Sequence, residues 1–163
     1  MTPEADPRRM LSDNNTLTLP ELYQKILDAL VPNLNTIIGA VLDAHGPALV
    51  HCVAGKDRTG VLIAVLLAAV GVTRSHIEAD YCETAGNMTG VLERMISAIP
   101  ETKRSIVRSK LASAPAGLFD TPLDGIAAVL DQLDAHPGGP GGWLIDQGVP
   151  RDQLTRLRLH LIG

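Results

Sequence analysis

Ten residues, HCVAGKDRTG at positions 51–60, constrain the fold of this chain more than any other stretch. They follow the short apolar run PALV and precede the longer apolar run VLIAVLLAAVGV. The first run predicts a buried strand over 48–51, and the second predicts a buried helix that begins near Thr59 and is stopped by Gly71. The sequence therefore predicts a strand, a tight loop and a helix in direct succession.

A loop of this kind turns its backbone N–H groups and the positive end of the next helix toward one point, where an anion binds. Cys52 lies in the loop, so these dipoles, together with Lys56 and Arg58, are expected to stabilise its thiolate and lower its pKa. Arg58 can hold two phosphate oxygens with its planar guanidinium. Thr59 can donate a hydrogen bond to the sulfur, which helps the sulfur leave as a thiolate. The segment thus predicts a nucleophilic cysteine in a phosphate site.

The other residues of the segment support the same chemistry. Gly55 and Gly60 are the residues expected where the backbone adopts a positive φ or approaches a ligand closely. His51 neighbours the nucleophile along the predicted strand, so we expect it to orient the loop or to form a hydrogen bond. The predicted phosphate-binding set is Val53, Ala54, Gly55, Lys56, Asp57 and Arg58, supported by His51, Thr59 and Gly60.

Asp57 calls for an explanation, because a carboxylate beside an anion site is unfavourable unless it is protonated or has a task. Hydrolysis of a phosphate ester offers such a task. The leaving oxygen needs a proton in the first step, and the attacking water loses one in the second, so one carboxyl group serves both steps. The alternatives are that Asp57 forms a salt bridge with an arginine or caps the following helix. Asp13 and Asp28 are fallback acids.

Other site chemistries fit the segment less well. The nucleotide-binding pattern G-x-x-x-x-G-K-[ST] fails, because Asp57 follows GK and no glycine stands five residues before Gly55. A cysteine peptidase needs a histidine that reaches Cys52, whereas His51 points to the other face of the predicted strand. The remaining histidines lack metal-ligand spacing, so we predict neither a metal nor a cofactor.

The segment matches the signature H-C-x5-R-[ST]-G, and the chain resembles the cysteine-dependent protein tyrosine phosphatases, in particular their bacterial tyrosine and dual-specificity branch. Weaker likenesses are Tyr23, the stretch ADYCET and the stretch GGWLIDQGVPRDQLTRLRLHL near the end. The resemblance implies hydrolysis of phosphomonoesters through a phosphocysteine intermediate, on a parallel-type sheet surrounded by helices. It also implies that the general acid lies inside the signature, at Asp57.

The implied substrates are proteins with phosphotyrosine, phosphoserine or phosphothreonine, or phosphoinositides. Lys56 adds positive charge at the rim of the predicted site, which suits a substrate with more than one phosphate, although tuning of the Cys52 pKa explains this lysine equally well. The alternative function is a phosphate-binding or protein-interaction module with little or no turnover. Cys82 is expected to fill a small space in the core.

The rest of the chain is predicted to be mostly helical, with a flexible leader over 1–17 and a phosphatase-like domain over 18–163. A flexible connector is predicted over 136–142, where the sequence is HPGGPGG. The predicted helices span 18–45 with an interruption at Pro32, 59–70, 73–84, 89–99, 103–112, 121–135 and 150–161.

An incomplete sheet is predicted, since one strand cannot satisfy its own backbone groups. The resemblance implies an N-terminal region with several strands ahead of 18, so we expect either a truncated product, a second chain that completes the sheet, or a lone strand, and we favour truncation. The fold class is therefore α/β, helix-rich and tyrosine-phosphatase-like.

Location and partner class follow from composition. The net charge of -4 and the absence of a basic run argue against nucleic-acid binding. The first fifteen residues lack an apolar signal core, and we expect no transmembrane segment and a cytoplasmic protein, with export by a route without a signal peptide left open.

Overall fold

The computed structural model describes residues 17–113 and 120–163, and within these ranges it contains eight α-helices and no β-strand. The helix-rich character predicted from the sequence is confirmed. The helices are α1 (Leu19–Leu30), α2 (Leu34–Leu42), α3 (Asp57–Val70), α4 (Arg74–Ser97), α5 (Glu101–Ala112), α6 (Asp124–Asp134), α7 (Gly139–Asp146) and α8 (Arg151–Ile162), and a 3-10 turn at Val31–Asn33 joins α1 to α2.

Helix α3 lies at the centre of the fold and contacts α1, α4, α6, α7 and α8. Its sequence is apolar on most of its circumference, so it has no face suited to solvent. Val61 and Val65 are fully buried in the common core. The first turn of α3 carries the end of the 51–60 segment, and the core therefore holds that end of the segment in place.

Helix α1 begins where the sequence predicts. The Thr18 hydroxyl accepts the backbone N–H of Glu21 at 3.4 Å, and the Glu21 carboxylate accepts the backbone N–H of Thr18 at 2.8 Å. This capping box satisfies backbone donors that the first turn leaves unpaired. The helix then buries Tyr23 and Leu27 against α3 and α6.

The stretch Leu19–Leu42 is long and apolar enough, by composition alone, to cross a membrane, with a mean hydropathy of 1.3 in its most apolar window. It is not one continuous α-helix, because the 3-10 turn at Val31–Asn33 interrupts it beside Pro32. Leu27, Leu34 and Ile38 are fully buried in the core. Core packing therefore accounts for part of its apolar character, and 28% of the residues in that window are buried.

Two predictions about helices are wrong. Helix α4 is continuous from Arg74 to Ser97, although two helices are predicted over 73–84 and 89–99, because Gly86 and Asn87 do not break it. The predicted connector over 136–142 instead contains the start of α7. Trp143 and Leu144 are buried on α7, and packing of these side chains overrides the weak helix propensity of its glycines.

The predicted buried strand over 48–51 does not form in the described structure. The segment is irregular, and Leu49 is 86% exposed. A strand needs a neighbouring strand for its hydrogen bonds, and the described residues offer none. Residues 1–16, and with them almost all of the predicted leader and the fallback acid Asp13, lie outside the described residues.

Candidate active site

The Cys52 thiol is half-buried in the loop that precedes α3. Burial alone raises the pKa of this thiol, but hydrogen bonds outweigh the effect and lower the pKa to about 7. The groups that lower it are the Thr59 hydroxyl, which lies near the sulfur, and the backbone N–H groups of Thr59, Gly55 and Ala54. A thiol with such a pKa is about half ionised at neutral pH, and the thiolate is the nucleophilic form. If a phosphoryl group were bonded to the sulfur, its oxygens would lie next to the same donors.

The loop reaches this shape through one glycine. Gly55 has a φ of 70°, in the left-handed region that residues with a Cβ rarely adopt. A Cβ at this position would meet no atom within 4 Å, so the requirement is conformational and not steric. Two residues later α3 begins at Asp57, and the positive end of its dipole therefore faces the loop.

The Thr59 hydroxyl is buried, and no described atom meets the full geometry of a hydrogen bond with it. Its influence on the Cys52 pKa nevertheless places it close to the sulfur. The position agrees with the role predicted for Thr59 as a donor to the sulfur.

Arg58 is exposed on the first turn of α3 and makes no hydrogen bond or ion pair with any described residue. A guanidinium at the start of the helix, next to the loop N–H groups, is available for an anion. Val53 is 63% exposed and contributes its backbone to the loop.

Lys56 differs from its prediction. It is the only charged side chain that is buried within the described part of the chain, with 4% of its surface exposed, so it does not lie at the rim of the site. Its Nζ lies 3.9 Å from Asp57 Oδ1. The burial of Lys56 therefore removes the reason to expect a substrate with more than one phosphate, because that expectation required an exposed ammonium group.

Asp57 is the first residue of α3, and its side chain is 40% exposed. Among the described residues the ion pair of Asp57 is with Lys56 and not with an arginine. The N-cap position of α3 belongs to Lys56, so Asp57 does not cap this helix. The Tyr23 hydroxyl donates a hydrogen bond to Asp57 Oδ1 at 2.8 Å. Asp57 is therefore held at the edge of the loop with one face open to solvent.

The sequence did not point to Tyr23 or Tyr81 as site residues. Their hydroxyl oxygens lie 2.5 Å apart, and their rings meet edge to face with centroids 6.3 Å apart. One signal was present, since these are the two tyrosines of the whole chain, but nothing in the sequence shows that α1 and α4 bring them together.

The structure also describes three other residues considered in the sequence analysis, His51, Asp28 and Cys82. The carbonyl oxygen of Cys52 accepts a hydrogen bond from His51 Nδ1 at 3.1 Å, in keeping with an orienting role. Asp28, a fallback acid, is exposed on α1 and accepts a hydrogen bond from Gln24. Cys82 is exposed, so the prediction that it fills the core is wrong.

A cavity of about 60 Å³ opens beside the loop, between α3 and α4. Gly55, Thr59 and Gly60 line one side, and Asp80 and Tyr81 line the other. Within the described ranges no group of three histidine, cysteine or acidic side chains is placed to hold a metal ion. The groups that the described structure brings to the loop are the Cys52 thiol, the Arg58 guanidinium, the Asp57 carboxyl group and the backbone donors.

Comparison with known proteins gives consistent matches. The model of a family described as the tyrosine phosphatase family matches residues 2–163. The chain is 33% identical over 128 residues to the triple specificity protein phosphatase PtpB of Mycobacterium tuberculosis. This alignment covers 76% of this chain and 46% of that protein. It is also 29% identical over 154 residues to a tyrosine-protein phosphatase of Nostoc commune, in an alignment that covers 88% of this chain and 49% of that protein. The chain thus spans about half the length of these two relatives.

Proposed function

The chain belongs to the tyrosine phosphatase family, and from this membership we propose that it hydrolyses phosphomonoesters through a phosphocysteine intermediate. The observation that carries the proposal is the geometry of the loop: Gly55 at a φ of 70° and the start of α3 at Asp57 bring backbone N–H groups to the Cys52 sulfur, and these groups lower its pKa to about 7 against the effect of burial. A buried structural cysteine has no need of such donors, whereas a nucleophile and its phosphoryl group need them in both steps.

In the first step the Cys52 thiolate attacks phosphorus, and the bond from phosphorus to the ester oxygen breaks. The N–H groups of the loop and the Arg58 guanidinium hold the phosphoryl oxygens, whose charge they stabilise in the transition state. Asp57 donates its proton to the leaving oxygen as that bond breaks. The products of this step are the alcohol and a phosphocysteine.

In the second step water attacks phosphorus, and the bond from sulfur to phosphorus breaks. Asp57, now ionised, accepts a proton from the water as the oxygen bonds to phosphorus. The sulfur leaves as a thiolate, which the Thr59 hydroxyl and the backbone donors stabilise. Inorganic phosphate is released and the starting state is restored.

The proposed substrates are phosphorylated proteins, with phosphotyrosine first and phosphoserine or phosphothreonine next, and phosphoinositides as a further class. One relative is described as a triple specificity phosphatase, which supports a range wider than phosphotyrosine. Because Lys56 is buried, no exposed ammonium at that position favours the phosphoinositides.

A strand-bearing polypeptide is proposed to complete the scaffold beside 47–53, as a second chain or as a further part of a longer one. No described residue forms a backbone–backbone hydrogen bond with this segment. An apolar groove of about 270 Å³ lies beside it, lined by Pro47, Ala48 and Val50 and by side chains of α2, α3 and α8. An added strand would pair these backbone groups and cover the groove.

The test compares the only two cysteines of the chain. Wild type, Cys52→Ser and Cys82→Ser are assayed for phosphate release from a phosphotyrosine peptide, a phosphoserine peptide and phosphoinositide vesicles. We expect Cys52→Ser to lose at least ~1,000-fold in turnover, since the intermediate cannot form efficiently, and Cys82→Ser to match wild type. Acid quenching with labelled substrate should trap phosphate on the wild type and not on Cys52→Ser. Equal activity of the two variants would refute the assignment.

The second candidate function is phosphate binding without turnover. The unpaired backbone at 47–53 favours it, because a loop entered from an irregular segment holds its nucleophile less rigidly. Binding of orthovanadate or a phosphopeptide, measured by calorimetry, together with no release that depends on Cys52, would support this function. The same assays repeated with peptides that carry the candidate strands would decide whether turnover needs them.

A further inference from the structure

A chain of hydrogen bonds runs from the core to the candidate acid. Tyr81 on α4 contacts Tyr23 on α1 through their hydroxyl groups, at 2.5 Å, and the Tyr23 hydroxyl contacts Asp57 Oδ1 at 2.8 Å. Tyr23 is fully buried and Tyr81 is 4% exposed. Three helices that are distant in sequence thus meet at one carboxyl oxygen.

The direction of each bond follows from the number of protons. An ionised carboxylate only accepts, and each tyrosine has one hydroxyl proton. Tyr23 therefore donates its proton to Asp57, and the Tyr81 hydroxyl donates to the Tyr23 oxygen. Each proton in this buried chain has an acceptor, so no buried hydroxyl is left without a partner.

The two oxygens of the Asp57 carboxyl group have different surroundings. Tyr23 Oη lies 2.8 Å from Oδ1, and Lys56 Nζ lies 3.9 Å from the same oxygen. The hydrogen bond that the described residues make to this carboxyl group is to Oδ1, and none of them forms a hydrogen bond with Oδ2. When the carboxyl group takes up a proton, Oδ1 is already occupied by a donor, so the proton belongs on Oδ2.

Both tyrosine rings are fixed by glycines that leave room for them. A Cβ at Gly60 would lie 2.9 Å from the Tyr81 ring, and a Cβ at Gly125 would lie 2.8 Å from the Tyr23 ring. The rings are nearly perpendicular, at 88°. The contact of each ring with its glycine restricts the rotation of that ring and so helps to keep its hydroxyl group in the chain that ends at Asp57.

We infer that Tyr23, held by Tyr81, is a positioning residue that reserves Asp57 Oδ2 for proton transfer. This inference rests on the proposed function. In the first step the proton on Oδ2 passes to the leaving oxygen as its bond to phosphorus breaks. In the second step Oδ2 receives a proton from the attacking water while the sulfur leaves. The Tyr23 proton stays on Tyr23 throughout, because its task is orientation.

The test uses Tyr23→Phe and Tyr81→Phe, which keep the ring volumes and remove one hydroxyl each. Turnover is measured on phenyl phosphate, whose leaving group needs a proton, and on p-nitrophenyl phosphate, whose leaving group needs it far less. We expect Tyr23→Phe to lower kcat roughly 10-fold on phenyl phosphate and less than about 3-fold on p-nitrophenyl phosphate, with KM unchanged. Tyr81→Phe should show the same selectivity with a smaller loss, since the bond from Tyr23 to Asp57 remains.

The control is to repeat the Tyr23→Phe substitution in the Asp57→Asn variant. If Tyr23 acts through Asp57, adding Tyr23→Phe to Asp57→Asn should cause no further loss on phenyl phosphate, so the two effects are not additive. Cooperative urea unfolding of each variant establishes that it is folded. Should Tyr23→Phe fail to fold, Tyr81→Phe decides the question by its selectivity between the two substrates.

The outcomes separate the inference from the proposed function. Equal losses on both substrates, or no loss, in variants of an active wild type would overturn the positioning role and leave the phosphatase proposal intact. Absence of any Cys52-dependent release from the wild type would overturn both. Selective loss that disappears in the Asp57→Asn background would support both.

Discussion

Substitution of Gly60 by alanine tests the packing on which the tyrosine pair depends. A Cβ at this position would lie 2.9 Å from two carbons of the buried Tyr81 ring, a separation that real contacts do not show, so the ring or α3 must shift. Overpacking of this kind costs ~1–3 kcal/mol. The gain in helix propensity from glycine to alanine offsets roughly 1 kcal/mol. We therefore expect Gly60→Ala to lower the free energy of unfolding by about 0–2 kcal/mol, combining these two terms.

Gly86→Ala is the matched control, because Gly86 lies inside α4 and a Cβ there would meet nothing within 4 Å. This variant should raise the free energy of unfolding by roughly 1 kcal/mol through helix propensity alone. Urea unfolding of both variants should therefore differ by ~1–3 kcal/mol, and their Tm values by about 2–12 °C for a chain of this size. Equal stabilisation by the two alanines would refute the close approach of Tyr81 to Gly60.

Two further predictions concern titration. In a Cys82→Ser background the rate of alkylation of Cys52 by iodoacetamide should reach half its maximum near pH 7. Thr59→Val should move this midpoint to higher pH, because the Thr59 hydroxyl makes the largest of the contributions that lower the pKa of Cys52. An unchanged midpoint would contradict the donor role of Thr59. Burial is the first cause that raises the pKa values of both Tyr23 and Tyr81 in the folded chain. Their contribution to stability is complete below the unfolded pKa of about 10 and is lost as the pH rises above it, so the free energy of unfolding should fall by up to roughly 1.4 kcal/mol per pH unit for each tyrosine. Urea unfolding between neutral and alkaline pH measures this slope, and a slope that stays unchanged in the double variant Tyr23→Phe and Tyr81→Phe would assign it to other groups.

The sequence predicts the parts of the site that are local in the chain. Thr18 and Glu21 cap α1 because both partners lie within one turn. The loop from Cys52 to α3 follows from the placement of Gly55 and from the apolar run behind it. Such features depend on neighbours along the chain, so a single sequence is enough to identify them.

The features that the sequence did not predict depend on contacts between distant elements. The burial of Lys56 is a property of the folded chain, and the contact of Tyr23 with Tyr81 forms only when α1 and α4 come together. The start of α7 within HPGGPGG is likewise determined by the burial of Trp143 and Leu144, since the local composition favours a turn. Tertiary packing overrides local propensity in each case.

The candidate site has two halves with different support. Asp57, Arg58 and Thr59 stand on the first turn of α3, which the core surrounds and which the tyrosine pair reaches directly. Cys52 stands on the side of the loop that follows the irregular segment 47–51, where the described residues provide no backbone pairing. In the proposed mechanism a completing strand would therefore act on the position of Cys52, while Tyr23 would act on the position of Asp57. Because the proposed mechanism requires both groups to keep their productive positions to within a fraction of an ångström, the two supports contribute to different terms of the same barrier.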